Sequence, residues 1–204
     1  MSVPGHDTHI DHFDQLFRDD ADPWRTRTRW YERRKRALTL AMLPHERYTR
    51  AFEPGCGAGE TTAALARRCD SVVASDASAA AVHQARERLA GMHNVSVDRA
   101  RMPKDWPSGR FDLVVVSELG YYLSAGDLER LAHACCASLD GGGALVACHW
   151  RRVEPDMLQL AQDVHAMLQR CTSLWPNARY EDDDFLLEAW TSEAGSVAHR
   201  EGLA

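Results

Sequence analysis

The chain has 204 residues, 45% of them hydrophobic and 26% charged, with a formal net charge of −6. That length suits one domain with a sizeable core, and the balance excludes a chain disordered throughout. The acidic sum argues against a nucleic-acid partner, whose phosphates need a basic face, and no run reaches the length of a membrane span.

Six cysteines carry no C-x-x-C pair and read as small buried hydrophobes in a reducing compartment, and the N-terminus lacks an apolar leader. A cytoplasmic protein is expected. Residues 1–9 read as a polar tail. His6, His9 and His12 stand three apart with Asp7 and Asp11 nearby, a spacing that suits a metal on a helical turn, but the reading taken is a frayed tail and no metal is expected.

Ile10, Phe13, Leu16 and Phe17 recur at helical spacing and predict a short amphipathic helix, which Asp22-Pro23-Trp24 breaks. A second helix is expected from near Thr28 or Trp30 to about Met42, burying Tyr31, Leu38, Ala41 and Met42, with Pro44 ending it. Arg25, Arg27, Arg29, Arg33, Arg34, Lys35 and Arg36 crowd this stretch. They suit either an anionic surface or, the preferred reading, a solvated helix face.

Next comes Phe52-Glu53-Pro54-Gly55-Cys56-Gly57-Ala58-Gly59-Glu60, read as strand, tight glycine turn and helix, the helix running over 61–68. A strand over Ser71 to Ser75 closes on Asp76. A helix follows from Ser78 to Leu89 with Gly91 as its stop, then a strand from Asn94 to Asp98. The continuous apolar run Phe111 to Ser117 predicts a central parallel strand covered on both faces.

Leu128, Leu131, Ala132, Cys135, Cys136 and Leu139 predict a helix stopped by Asp140-Gly141-Gly142-Gly143, and Ala144 to Cys148 a fifth strand. Met157, Leu160, Ala161, Val164 and Leu168 mark another helix. Ala178 to Glu181 and Phe185 to Trp190 read as a hairpin turning at 182–184, with the last dozen residues loose. The sum is an α/β class: a seven-stranded, mostly parallel, Rossmann-like sheet with helices on both faces, its last strand antiparallel at the edge. One domain over 1–204 is expected, with a helical lid over 1–44, a core sheet over 45–191 and a loose tail over 192–204.

Two nucleotide chemistries compete for the glycine turn. A dinucleotide site wants G-x-G-x-x-G, so that pyrophosphate meets the helix N-terminus. Here the third glycine comes one position early, and Glu53 and Glu60 flank the turn, where they would repel phosphate and accept from an ammonium group. The turn suits a ligand without phosphates.

With Glu53, Gly55, Gly57, Gly59 and Asp76 in this order, the chain resembles the class I S-adenosylmethionine-dependent methyltransferases. Asp22-Pro23-Trp24, Trp30 to Lys35, Asp112 to Leu123 and His149-Trp150 extend the resemblance to the nodulation protein S (NodS)-like family, over about residues 12–190. The resemblance implies the seven-stranded methyltransferase fold and S-adenosylmethionine as cofactor. It places the cofactor on Glu53, Gly55, Cys56, Gly57, Gly59, Asp76 with Ala77, Met102 and Ser117, and on Trp24 and Lys35 (or Arg33) from the lid, with Asp76 on the ribose hydroxyls. Many family members put an acid after the third strand for the adenine, where this chain reads Ala100-Arg101-Met102. Asp98 or the backbone around Met102 would stand in.

Methyl transfer needs in-line proximity and a nucleophile with a free lone pair. Glu118 can orient an amine and take its proton, or cap the following turn. His149 can accept a proton or serve as a buried, hydrogen-bonded histidine. Tyr121, Tyr122 and Trp150 can stack on a sugar ring or belong to the core. The expected function is N-methylation of a small amino-bearing acceptor, such as an amino sugar or the deacetylated chitooligosaccharide that NodS enzymes modify. O-methylation of a small hydroxylated molecule and a silent methyltransferase-like binding module are the alternatives. A nicotinamide oxidoreductase ranks last.

Overall fold

A computed structural model describes residues 6–203. Its strands are β1 (Tyr48–Pro54), β2 (Cys69–Asp76), β3 (Val95–Arg99), β4 (Phe111–Ser117), β5 (Leu139–Trp150), β6 (Trp175–Glu181) and β7 (Phe185–Thr191). They form one sheet in the order β3-β2-β1-β4-β5-β7-β6. The helices are α1 (His6–Asp19), α2 (Trp30–Ala41), α3 (Glu60–Leu65), α4 (Ala79–Leu89), α5 (Ala125–Ser138), α6 (Ala161–Cys171) and α7 (Val197–Arg200).

β4 lies at the centre, and its alternating side chains explain its unbroken apolar run. Val114 and Val116 join a core with Leu128, Leu131, Leu145, Val164, Leu168 and Trp190. Leu113 and Val115 face the other way, into a core with Val72, Val146, Phe185 and Leu187 under the half-buried Tyr31 and Leu38 of α2. A strand covered on both faces has no polar side to alternate with.

The hairpin differs from expectation in one respect. β7 runs antiparallel to both β5 and β6, but it lies between them and leaves β6 at the edge. The polar, twice-exposed pattern of β6 fits that edge, whereas β7 is buried along nearly its whole length.

Three boundaries also move. Asp140 to Gly143 do not stop a helix in a loop. α5 ends at Ser138, and the glycines fall inside β5 beside the irregularity in the β4–β5 register between Phe111 and Leu113. α6 begins at Ala161 because the Leu158 and Gln159 amides donate to the Tyr121 carbonyl instead of a helical ladder. Ala41 is exposed, α2 burying Lys35 and Thr39, and the tail contains the single turn α7.

The basic stretch is solvated at Arg25, Arg27, Arg29 and Arg33, as the preferred reading expects, but Lys35 is buried and most of the charges have partners. Arg25 pairs with Asp20, Arg27 with Glu60, Arg34 with Asp182, and Lys35 with Glu32 and Glu118, while Arg33 lies over the Trp30 ring. All six cysteines are free, with Cys136 and Cys171 half-buried and the other four buried. Among the described residues no helix is long and apolar enough to cross a membrane.

Candidate active site

The carboxyl ends of β1, β2, β4 and β5 meet on one side of the sheet. Strand order reverses between β1 and β4, which places a ligand crevice there. The turn after β1 is built on left-handed glycines, with φ of 74° at Gly55, 52° at Gly57 and 82° at Gly59. Gly59 is the tightest. A Cβ there would lie 2.9 Å from Leu89 Cδ1, so the turn and α4 pack this closely only because the side chain is absent.

The turn is tied to the end of β2. Gly55 and Cys56 donate to the Ser75 carbonyl, and Gly57 N–H donates to Asp76 Oδ2 at 2.9 Å. Asp76 Oδ1 accepts from Ser78 N at 2.9 Å. Burial raises the Asp76 carboxyl above the usual range even though the Ser78, Gly57 and Ala77 amides favour its charge. Glu53 is 2% exposed, accepts from the Thr62 hydroxyl at 2.5 Å, and is pushed by burial up to about 8, with Asp76 adding to the rise. Among the described residues neither carboxylate forms an ion pair. Arg36 acts on Glu53 only through its field, and its guanidinium donates to the Thr26 carbonyl.

Two sheltered acids without a counter-cation, on either side of a turn without room for side chains, call for a ligand rich in donors and positive charge. S-adenosylmethionine fits, with an ammonium for Glu53 and ribose hydroxyls for Asp76, whose carboxylate oxygens each keep acceptor capacity. Glu60 contributes nothing to this choice. Its carboxylate is clamped by Arg27 at 2.8 Å and Arg88 at 2.6 Å, so it is not an open charge that would repel phosphate.

Ala77 and Ser117 stand at the strand ends as expected, half-buried, while Cys56 is buried with its thiol held well above the usual range by burial. Asp98 points away toward Arg86 and is exposed, so it does not replace the missing adenine acid. Met102 is buried. Beside it a cleft of about 570 Å³ is lined by Ile10, Asp11, Arg99, Ala100, Arg101 and Asp105, and Asp105 also accepts from the Arg101 amide.

Glu118, at the mouth of β4, has φ of 53°. A non-glycine residue there costs about 1–2 kcal/mol, which its contacts offset. Its carboxylate accepts from Lys35 Nζ at 2.9 Å, from Trp150 N at 3.2 Å and from the Tyr121 hydroxyl. Lys35 therefore lies at the mouth of β4, between Glu118 and Glu32 (3.2 Å), and pairs with neither Glu53 nor Asp76. Burial works against its charge, but those two carboxylates outweigh it and hold the ammonium above the usual lysine range.

His149 is fully buried, and neither ring nitrogen is open to an acceptor molecule. Gly120 N–H can only donate, so His149 Nε2 accepts it at 3.1 Å. The proton is then on Nδ1, which donates to His165 Nε2 at 3.0 Å, and His165 Nδ1 donates to Glu188 at 2.7 Å. Burial, with His165 and Lys35 adding to it, lowers the His149 pKa well below the usual imidazole value. Of the two readings of His149, the geometry is that of the buried, hydrogen-bonded histidine, holding the Gly120 turn.

Tyr122 is half-buried, its ring edge-on to Tyr121 (4.6 Å between centroids), Phe13 (4.8 Å) and His9 (6.4 Å). Burial raises its hydroxyl above the usual range, with Asp156 and Glu118 adding to it. Trp24 packs on Phe13 and Phe17, and Phe17 Cζ would lie 3.4 Å from a Cβ at Gly57. Asp14 of α1 accepts from the Ser78 hydroxyl and the Ala80 amide, fixing α1 to the start of α4.

Phe17, Thr62, His165 and Glu188 were missed in sequence. Of these only Phe17 carried a signal, its place on an apolar helical stripe. As for metals, His6 contributes no described side chain. Away from the crevice, donor atoms of Glu129, His133 and Cys171 lie within 4.8 Å of one another.

This crevice and this sheet define a nucleotide-cofactor methyltransferase. Residues 51–143 match the methyltransferase domain family. Nodulation protein S of Rhizobium tropici is 32% identical over 137 residues, 66% of this chain and 56% of that protein; the curated relatives are matched over about half to two thirds of their length. A candidate methyltransferase from Pseudomonas syringae is 51% identical, with 80% of this chain and 99% of that one covered and a TM-score of 0.72. The N-methyltransferase NodS from Bradyrhizobium japonicum WM9, solved with S-adenosyl-L-homocysteine, shares the fold at 23% identity, with 91% and 98% coverage and a TM-score of 0.81. The chain belongs to the class I S-adenosylmethionine-dependent methyltransferases and is similar to the NodS proteins among them.

Proposed function

We propose that the protein transfers the methyl group of S-adenosylmethionine to the nitrogen of a small amino-bearing acceptor, an amino sugar or a deacetylated chitooligosaccharide. The observation that carries the cofactor half is the pair Glu53 and Asp76, sheltered and, among the described residues, without ion partners around the glycine turn. The acceptor half is supported by likeness to nodulation protein S and by an acid-and-aromatic mouth formed by Glu118, Tyr121, Tyr122 and Trp150.

The cofactor supplies a methyl group already made electrophilic by its sulfonium charge. Glu53 holds the ammonium, and Thr62 fixes the carboxylate that does so. Asp76 takes the ribose hydroxyls, and Arg36 lies on the side from which Glu53 feels a positive field, suited to the cofactor carboxylate. Cys56, Ala77, Met102 and Ser117 line the same crevice. Glu118, set by Lys35, Tyr121 and Trp150 N, orients the acceptor, and the buried His149 holds the turn that carries it. α1 and Trp24 cover the crevice and exclude water.

The test is calorimetric titration of S-adenosylhomocysteine, followed by transfer of labelled methyl to glucosamine, deacetylated chitotetraose and matched hydroxyl-only sugars. Asp76→Ala should weaken binding by roughly 150- to 20,000-fold, the loss of two hydrogen bonds to a charged group. Unchanged affinity in that variant would remove the cofactor assignment. Transfer to hydroxyl-only sugars alone would make the enzyme an O-methyltransferase.

A further inference from the structure

The site as described leaves one place open, the group that receives the proton an amine sheds on methylation. His149 has both nitrogens engaged within the fold. The Glu118 carboxylate already accepts from Lys35, Tyr121 and Trp150 N. Burial holds the Tyr122 hydroxyl proton more tightly than usual.

His9, on the first helix, is different. It is 5% exposed, and among the described residues neither Nδ1 nor Nε2 has a hydrogen-bond partner. A buried imidazole with both nitrogens unmet is costly and calls for a polar partner that arrives from outside the chain. Its position is set by the course of α1. Phe17 meets the glycine turn and Asp14 the start of α4, so this end of α1 lies over the cofactor side. Phe13 and His9, one and two turns closer to the N-terminus, lie against Tyr122 at the mouth of β4. Over that distance, about 12 Å, the helix passes from the cofactor side to the acceptor side.

We infer that His9 is a catalytic residue, the general base that accepts the acceptor amine's proton beneath α1. The inference rests on the N-methyl transfer reading above. The amine lone pair forms the new N–C bond as the methyl C–S bond breaks, and the sulfur keeps that electron pair and becomes neutral. The nitrogen is left with one proton too many, which passes to an open ring nitrogen of His9 and then to solvent when α1 lifts.

The test compares wild type, His9→Gln and His9→Ala. Gln keeps a hydrogen-bonding group without a basic nitrogen, and Ala leaves a space that added imidazole can fill. We expect S-adenosylhomocysteine affinity within about twofold of wild type in both variants, and a loss of kcat on the order of 100-fold or more toward deacetylated chitotetraose. Imidazole, but not the non-basic pyrrole, should restore part of the His9→Ala rate. Full kcat in His9→Gln would overturn the proposal. So would a cofactor affinity that falls in step with the rate, or a His9→Ala rate indifferent to imidazole.

A second readout does not need turnover. The His9 ring carbon–proton NMR signal, assigned by its loss in His9→Gln, should shift when glucosamine or chitotetraose is added to the wild-type S-adenosylhomocysteine complex. A signal unmoved by every amine removes His9 from the acceptor site. Absence of cofactor binding in the wild type would instead overturn the functional reading and the role of His9 with it. Cofactor binding with an unmoved signal would overturn the role of His9 alone.

Discussion

Glu53 shows how one residue can couple ligand binding to pH. Burial raises its carboxyl to about 8, so near neutrality the free protein holds it largely protonated. To accept from a cofactor ammonium it must ionise. S-adenosylhomocysteine affinity should therefore rise with pH, by up to tenfold per unit from about pH 6, and level off near 8. Calorimetry across that range checks this. Glu53→Gln should flatten the slope and weaken binding by roughly 10- to 150-fold, the worth of one charge-assisted hydrogen bond. The stability sign is opposite. The folded protein holds this proton more tightly than the unfolded chain, so stability declines as pH rises from the ordinary carboxylate range toward 8. A bound cation would reverse that.

Strands and helices matter here mainly for the partners they bring together. The Gly120 amide, His149 on β5, His165 on α6 and Glu188 on β7 form a chain through the core that ends at the turn carrying Glu118. Because the His149 pKa is lowered well below 6.5, the unfolded chain binds its proton more readily than the folded one. Unfolding free energy should fall as pH drops below about 6.5, by as much as ~1.4 kcal/mol per unit. Urea unfolding at pH 7.5 and 5.5 measures it. His149→Gln should flatten that slope, lower stability throughout, and slow methyl transfer more than it weakens S-adenosylhomocysteine binding, because the altered turn belongs to the acceptor side.

At the scale of the whole molecule, α1 is tied to the start of α4 through Asp14, and Trp24 packs on its Phe13 and Phe17; the proposed function makes these a cover over the cofactor crevice. A ligand held beneath them should stabilise the entire chain. At S-adenosylhomocysteine 100-fold above its Kd the gain is about 2.7 kcal/mol, which for a chain of this size raises Tm by roughly 5–11 °C. Tryptic cleavage at Arg25, Arg27 and Arg29 should slow in parallel. A rise in Tm without slower cleavage there would mean that the cover does not respond to the ligand.

The sequence by itself determined the sheet, the glycine turn and the two strand-end acids on which the proposed cofactor site rests. Period-two and unbroken apolar runs mark strands through local sterics, and three glycines at alternate positions with Glu53 and Asp76 at strand ends are local features too, so a reader of the chain can find them. The edge position of β6 and the start of α6 were not legible, because pairing partners and the Tyr121 carbonyl are chosen in space. The same holds for the acceptor side. Lys35 reaches Glu118 across 83 positions of sequence, and Gly120 reaches His149 across 29. Whether a basic side chain faces ligand, carboxylate or another imidazole depends on distances of a few ångströms and on exclusion of water. Only the tertiary structure sets those. It engaged His149, spent the charge of Lys35 on Glu118, and left the nitrogens of His9 without a partner among the described residues, beside Tyr122.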